Sequence, residues 1–279
     1  FVYNSLLSVS RLIFPLISFP YSSRILGPAG IGKVNFVDSY TQYFCLMAAL
    51  GIPVYGVREI AKYKNNPQAL SKLTTELITI NTVSSFLWII IYYLIIFFTN
   101  KYTEYGGLYI LGSIYLLLYA FPSEWFFQGT EQFGYITIRS LVLNIISIIL
   151  LFILVRKPDD VVWYYSISVI VLLINSIVNI FSMRMNIKFG SLKELNLYRH
   201  VTPLLLLFST QIAVSVYTVL DKVILGYLSK DIYVGYYSAS QRIVKILITL
   251  ISAFATIMIP QMALAFNEGA EQRIRHLYK

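Results

Sequence analysis

Apolar runs broken by polar residues at helical spacing organise this chain, and eight of them are long enough to cross a bilayer. They span about residues 2–21, 34–55, 77–98, 108–127, 136–155, 161–183, 201–225 and 234–260, against the roughly 20 residues that hydrocarbon requires of a helix. Within four of these segments the polar positions step by threes and fours, which places them on one helical face. Segment one carries Asn4, Ser8, Arg11, Ser18 and Ser22, and segment two opens with Asn35, Asp38 and Gln42 before turning apolar. Segment seven carries Gln211, Ser215, Thr218 and Lys222, and segment eight carries Ser238, Arg242, Lys245, Thr249, Ser252 and Thr256. The stripes of segments five and six, Ser140-Asn144-Ser147 and Ser168-Asn175-Asn179-Ser182, hold no charge. Small and amide side chains at such spacing read as glue between helices.

Charges in the striped segments set the functional expectation. A cation near a bilayer centre costs roughly 2.5–3.5 kcal/mol on insertion scales, so Arg242 and Lys245 either line a wet cavity and bind an anion or snorkel to a nearby headgroup region. Arg11 belongs to the wet face of segment one, where Pro15 and Pro20 predict a kink that frees backbone carbonyls. Asp38 either pairs with a base near a helix end or titrates within the cavity and carries a coupling ion. Glu124-Trp125-Phe126-Phe127-Gln128-Gly129 closes segment four with rings expected at the membrane–water boundary. Gly56 to Lys72, with Arg58, Lys62 and Lys64, reads as a basic connector.

Composition confirms the class and removes others. The chain is 57% hydrophobic and only 13% charged, with mean hydropathy +0.69, whereas a soluble domain carries about 25% charged residues. The fold class expected is an all-α polytopic membrane helix bundle. Cys45 is the only cysteine and His200 and His276 the only histidines, which excludes a disulfide framework and predicts no metal site. The net charge of +9 reflects loops on one membrane face, not nucleic-acid binding. Gly27 to Lys33 spells G-x-x-x-x-G-K, but Val34 stands where a phosphate loop needs Ser or Thr, and the run follows a membrane helix instead of a strand. No nucleotide is expected there.

With the amino terminus inside, the connectors after segments two, four, six and eight hold twelve Lys and Arg, against six (Arg24, Lys33, Lys101, Arg156, Lys157 and Lys230) on the other side. That bias predicts that both ends of this chain face the cytoplasm. The first segment has no basic leader and carries Arg11 within it, so no cleavable signal is expected. With no initiating Met, the chain is expected to be a fragment.

An internal echo divides the chain. Arg24-Ile25-Leu26-Gly27 leads to Gly32 at the start of segment two, and Lys222-Val223-Ile224-Leu225-Gly226 leads to Gly235 at the start of segment eight, with Pro53 and Pro260 closing the two helices. The offset corresponds to six segments. Residues 1–200 are therefore read as one six-helix half and 201–279 as the first two helices of a second, the pattern of transporters built from repeated halves.

Four stretches carry a family resemblance: Gly51-Ile52-Pro53 with Gly56-Val57-Arg58-Glu59-Ile60-Ala61; Glu124-Trp125-Phe126-Phe127-Gln128-Gly129; Asp221-Lys222 with Gly226; and Gly235-Tyr236-Tyr237-Ser238. In order and spacing the chain resembles the Wzx-type oligosaccharide flippases, or polysaccharide biosynthesis proteins, of the superfamily that includes multidrug MATE exporters. The resemblance implies a bundle of 12–14 helices in two halves, of which this chain would be the amino-terminal part. It implies a bacterial inner-membrane location and a lipid-linked oligosaccharide substrate for O-antigen or other surface polysaccharide, with membrane lipids, a polysaccharide polymerase and glycosyltransferases as partners. On that reading Arg11, Arg24, Arg242 and Lys245 neutralise a polyprenyl pyrophosphate, and Asn35, Gln42 and Gln211 meet sugar hydroxyls. Asp38 or Asp221 carries a proton or sodium ion, or Asp221 pairs with Lys222 or Arg24. No catalytic residue and no cofactor are expected. A cation-coupled multidrug exporter would need fewer cations and more aromatic and acidic surface, and a membrane-embedded polymerase would need a larger external loop.

Overall fold

A computed structural model describes residues 2–98, 102–190, 195–245 and 247–248, with side chains from residue 14 onward wherever placement permits. The described residues are helical with no strand. In chain order the helices are α1 (Val2–Ala49), α2 (Ile52–Tyr63), α3 (Pro67–Phe98), α4 (Tyr102–Leu118), α5 (Glu124–Gly129), α6 (Phe133–Leu154), α7 (Val161–Asn186), α8 (Tyr198–Thr218) and α9 (Leu220–Leu228). Among the described residues, four helical stretches are long and apolar enough to cross a membrane, five when the bent pair α8 and α9 counts as one span. The chain is a multi-pass membrane protein. Two compact units divide it, Phe1–Gly235 and Tyr236–Lys279.

The lipid-facing surface of the first unit is written in helical period. On α6 the exposed apolar side chains are Ile138, Val142, Ile145, Ile149 and Phe152, at steps of four and three, and on α7 they are Leu173, Ile177, Phe181 and Met185. Helices in lipid gain nothing from hiding such residues from one another, so close packing and hydrogen bonds must hold the bundle together. The second arm of α1 supplies much of that packing. Phe36, Val37, Tyr40, Phe44 and Ala48 are buried in one cluster with Tyr92 of α3 and with Tyr105, Tyr109 and Leu116 of α4.

Segments one and two are the two arms of α1, and their junction corrects one expectation. The backbone departs from helical angles at Gly27 (φ 66, ψ 175), while Pro15, Pro20 and Pro28 all lie inside the helix. The left-handed region costs an L residue but not glycine, so the break falls at Gly27, while the backbone keeps helical angles through Pro15 and Pro20. Segment two then stops earlier than expected. Leu50 and Gly51 both take positive φ, and Pro53 begins α2 instead of closing α1. The expected basic connector is thus mostly helical, shared between the end of α2 and the start of α3, and α2 turns Ile52, Tyr55, Gly56 and Ile60 inward. Segment four likewise splits into α4 and α5 around Ser123, which sits at φ 44. Segment eight is helical over 231–245 and at 247–248, and its remainder lies outside the described residues.

Two glycines let helices cross at backbone distance. A Cβ on Gly32 would strike the carbonyl of Asp231, four residues before Gly235, and a Cβ on Gly235 would strike the carbonyl of Pro28, four residues before Gly32. The contact is reciprocal in position. Without side chains at the crossing, the two backbones approach as closely as small-residue membrane pairs do.

Candidate functional site

The polar face expected on segment two survives on the second arm of α1. Asn35 and Asp38 are half-buried and Gln42 is exposed, and the amide nitrogen of Asn35 is buried without a hydrogen-bond partner. Asp38 stands between Phe36 and Tyr40 on an arm that packs into an aromatic interior. That interior is cross-linked. The Thr41 hydroxyl lies 3.2 Å from Tyr92 Oη, the Tyr92 hydroxyl donates to the Tyr109 carbonyl at 3.3 Å, and the Tyr40 hydroxyl donates to the Tyr92 carbonyl at 3.4 Å.

The other expected site residues are placed as follows. Arg24 is exposed, close to the Gly27 break, and Gln211 is half-buried on α8. Asp221 accepts the Lys222 backbone N–H at 2.7 Å in the first turn of α9, the position where a carboxylate favours a helix start. Arg242 is half-buried and Lys245 exposed within the second unit, and the side chain of Arg11 lies outside the described residues. The structure thus brings Asn35, Asp38 and Gln42 together on one arm.

Two polar clusters in the first unit stand beyond those expectations. The first surrounds Glu76, whose side chain is fully buried near the start of α3. Its Oε2 lies 2.9 Å from His200 Nε2 and accepts from the Arg199 guanidinium, while Oε1 accepts the Asn196 backbone N–H at 2.8 Å. Tyr55 Oη of α2 lies 2.8 Å from His200 Nδ1. The connector between α7 and α8 is therefore tied to α3, which also donates the Ser71 hydroxyl to the Lys188 carbonyl and receives the Gly190 N–H on Thr75 Oγ1.

The second cluster is built on α5. Trp125, Phe126 and Phe127 are buried in a core with residues of α2, α3 and α6. Glycine explains the burial. A Cβ on Gly56 would meet the Trp125 ring at 2.8 Å, and one on Gly129 would meet the Ile60 side chain at 2.6 Å, so α2 and α5 pack face to face. Glu124, at the head of α5, takes Gln128 Nε2 at 3.1 Å and Arg139 of α6 at 3.3 Å. Arg139 is buried, donates to Asn179 Oδ1 at 2.6 Å and stands 5.5 Å from the centroid of the Tyr135 ring. Asn179 in turn accepts Tyr135 at 2.9 Å and donates to the Pro122 carbonyl, so this amide does join helices as expected. Beside the cluster lies a cavity of about 330 Å³ walled by the ends of α1 and α2, by Asn81, the 119–123 break, α5, and Leu172 and Asn175 of α7.

Glu76, Asn81 and the Glu124–Arg139 pair were not singled out as site residues from sequence. Arg139 carried a usable signal, a charge inside an apolar run. Glu76 carried little, because His200 and Arg199 stand more than 120 positions away.

Comparison with known proteins gives the following. A family described as polysaccharide biosynthesis protein matches residues 1–266. A curated Shigella dysenteriae protein provisionally named an O-antigen transporter is 24% identical over 237 residues, covering 84% of this chain and 59% of that protein. An Escherichia coli K12 protein of the same name is 23% identical over 276 residues, covering 94% of this chain and 64% of that one. A solved chain named "protein A" superposes with TM-score 0.67 at 15% identity, covering 88% of this chain and 61% of its own length, a likeness of fold. The chain spans less than two thirds of the length of each of these proteins.

Proposed function

The chain belongs to the polysaccharide biosynthesis protein family, and on that premise we propose that the protein flips lipid-linked oligosaccharide across the bacterial inner membrane by alternating access. The family match over residues 1–266, on a multi-pass helical bundle, is the observation that carries this reading. A polyprenyl-pyrophosphate sugar has an anionic head, a polar glycan and a tail that stays in lipid. It calls for a cationic cavity open to the side. Arg11, Arg24, Arg242 and Lys245 neutralise the pyrophosphate, and Asn35, Gln42 and Gln211 meet sugar hydroxyls; the exposure of Arg24 and Gln42 and the unpartnered amide of Asn35 support these roles. Asp38 or Asp221 carries the coupling proton or sodium ion. No covalent bond is made or broken. Glycosyltransferases supply the substrate and a polymerase consumes it on the far face.

Residues 1–200 form one half and 201–279 begin the second, with both ends of this chain in the cytoplasm. The reciprocal crossing of Gly32 and Gly235 supports the repeat, because the two echoed glycines meet each other's helices at matching positions. Halves related in this way rock about a site at their junction. A second reading, cation-coupled export of amphipathic drugs, draws on the aromatic interior of the arm that carries Asp38. Complementation separates the readings. In a strain lacking the gene, the full-length protein with Arg242→Gln and Lys245→Gln should insert normally yet fail to restore surface polysaccharide. Full restoration would overturn the cationic site, and restored export with altered polymer length would point to a polymerase.

A further inference from the structure

The cavity beside α5 is a second place where a ligand would be recognised, and its wall differs in chemistry from the cationic face. Three of its lining residues, Asn81, Ser123 and Asn175, each hold a buried side-chain oxygen without a partner. Asn81 and Ser123 are 5% and 4% exposed, and Asn81 Nδ2 donates to the Ala120 carbonyl at 3.4 Å while its Oδ1 has no partner. Buried polar atoms are almost always paired. Three orphans around one cavity mark a place where a bound molecule completes the pairing. What they lack is chiefly donors.

The remaining wall narrows the ligand. Glu124 adds a carboxylate and Gln128 an amide, while Tyr119 and Trp125 add aromatic surface. No Lys, Arg or His stands among the described residues of the lining, and the nearby Arg139 donates to Glu124 and Asn179 while its buried Nε has no partner. An anion would meet the Glu124 carboxylate, and no described lining residue is a cation to receive it, which disfavours the pyrophosphate head here. About 330 Å³ lies at the small end of ligand sites and far exceeds a bare sodium ion. Hydroxyl donors, apolar C–H faces and no charge describe a sugar ring. The ring of Trp125 is held against Gly56, where no Cβ fits, and Glu124 is clamped from both sides, so the site is preorganised.

We propose that this cavity binds one uncharged sugar ring and selects among glycans, separately from the residues that hold the pyrophosphate. Its place in transport rests on the flippase reading; its binding of sugar does not. The test uses full-length protein in lipid nanodiscs, titrated with D-glucose, D-galactose, L-rhamnose, N-acetylglucosamine, glucose 6-phosphate and NaCl, read by tryptophan fluorescence and saturation-transfer NMR. At least one neutral sugar should bind saturably, glucose 6-phosphate at least tenfold more weakly than glucose, and Trp125→Phe should remove most of the fluorescence change. Asn81→Leu with Asn175→Leu should weaken binding at least tenfold. Should that double variant not fold, Asn175→Ala alone should weaken binding severalfold.

No saturable neutral sugar, binding untouched by these variants, or a saturable response to NaCl alone would each overturn the proposal. Lipid-linked oligosaccharide flux in the same preparation separates the two ideas. Sugar binding without flux would sink the flippase reading and leave the cavity, whereas flux without sugar binding would sink the cavity alone.

Discussion

Glu76 and Glu124 both place a carboxylate among helices of the first unit, yet their surroundings differ in one respect that decides what each can do. Around Glu76 both carboxylate oxygens are engaged, by His200 and Arg199 on one and the Asn196 N–H on the other. Around Glu124 the carboxylate is held by Arg139 and Gln128, but the neighbouring Asn81, Ser123 and Asn175 each keep an oxygen unpaired. A satisfied buried network rigidifies a fold. An unsatisfied one beside a cavity has capacity left for a ligand. The first cluster is a latch between α3 and the connector to α8, and the second is a receptor.

Removing the acid from the latch should have the largest effect. Glu76→Ala strips His200, Arg199 and the Asn196 N–H of their common partner; Arg199 is 42% exposed and can turn to water, so the loss comes from the buried His200 and the backbone N–H, each left unpaired at about 1–3 kcal/mol. Thermal unfolding in detergent should show a sharp loss of stability or of folded yield, and an unchanged midpoint would remove the latch. Next comes the glycine crossing. Gly235→Leu places a side chain where even a Cβ strikes the Pro28 carbonyl, and overpacking of this kind costs about 1–3 kcal/mol or more. Crosslinking between cysteines placed near 28 and 231 should report the separation, and unaltered crosslinking would contradict the close approach.

The smallest effect on stability should come from the receptor, with the opposite sign. Replacing Asn81 and Asn175 by Leu removes two orphan acceptors, each of which costs about 1–3 kcal/mol when buried unpaired. The loss of the Asn81–Ala120 hydrogen bond offsets part of that gain, so the unfolding midpoint should hold or rise slightly while sugar binding falls. A large destabilisation would show that these amides hold the fold together, which would merge the two clusters into one kind.

Much of the bundle was legible because hydropathy measures solvation by lipid. Segment six, read as 161–183, is α7 over Val161–Asn186, and segment five, read as 136–155, is α6 over Phe133–Leu154. The same measure fails where a helix is not apolar. Arg58, Glu59 and Lys62 made α2 read as a connector, although its inner face of Ile52, Tyr55 and Ile60 is buried. The burial of the Glu124–Gly129 rings was hidden for a related reason. Aromatic residues suit a membrane boundary and a packed core equally, and the choice depended on Gly56 and Gly129, which open the space that Trp125 and Ile60 fill. Of the candidate site, the face of Asn35, Asp38 and Gln42 was readable from local spacing. The Glu76 and Glu124 clusters were not, because each is assembled from helices distant in sequence.

The most direct test of the account is transfer of a fluorescent polyprenyl-pyrophosphate oligosaccharide across proteoliposomes holding the full-length protein, with and without a proton or sodium gradient. The account predicts transfer that one gradient accelerates and that weakens at least tenfold when Arg242 and Lys245 become Gln. Absence of transfer under every gradient, by protein shown to be inserted and folded, would contradict it.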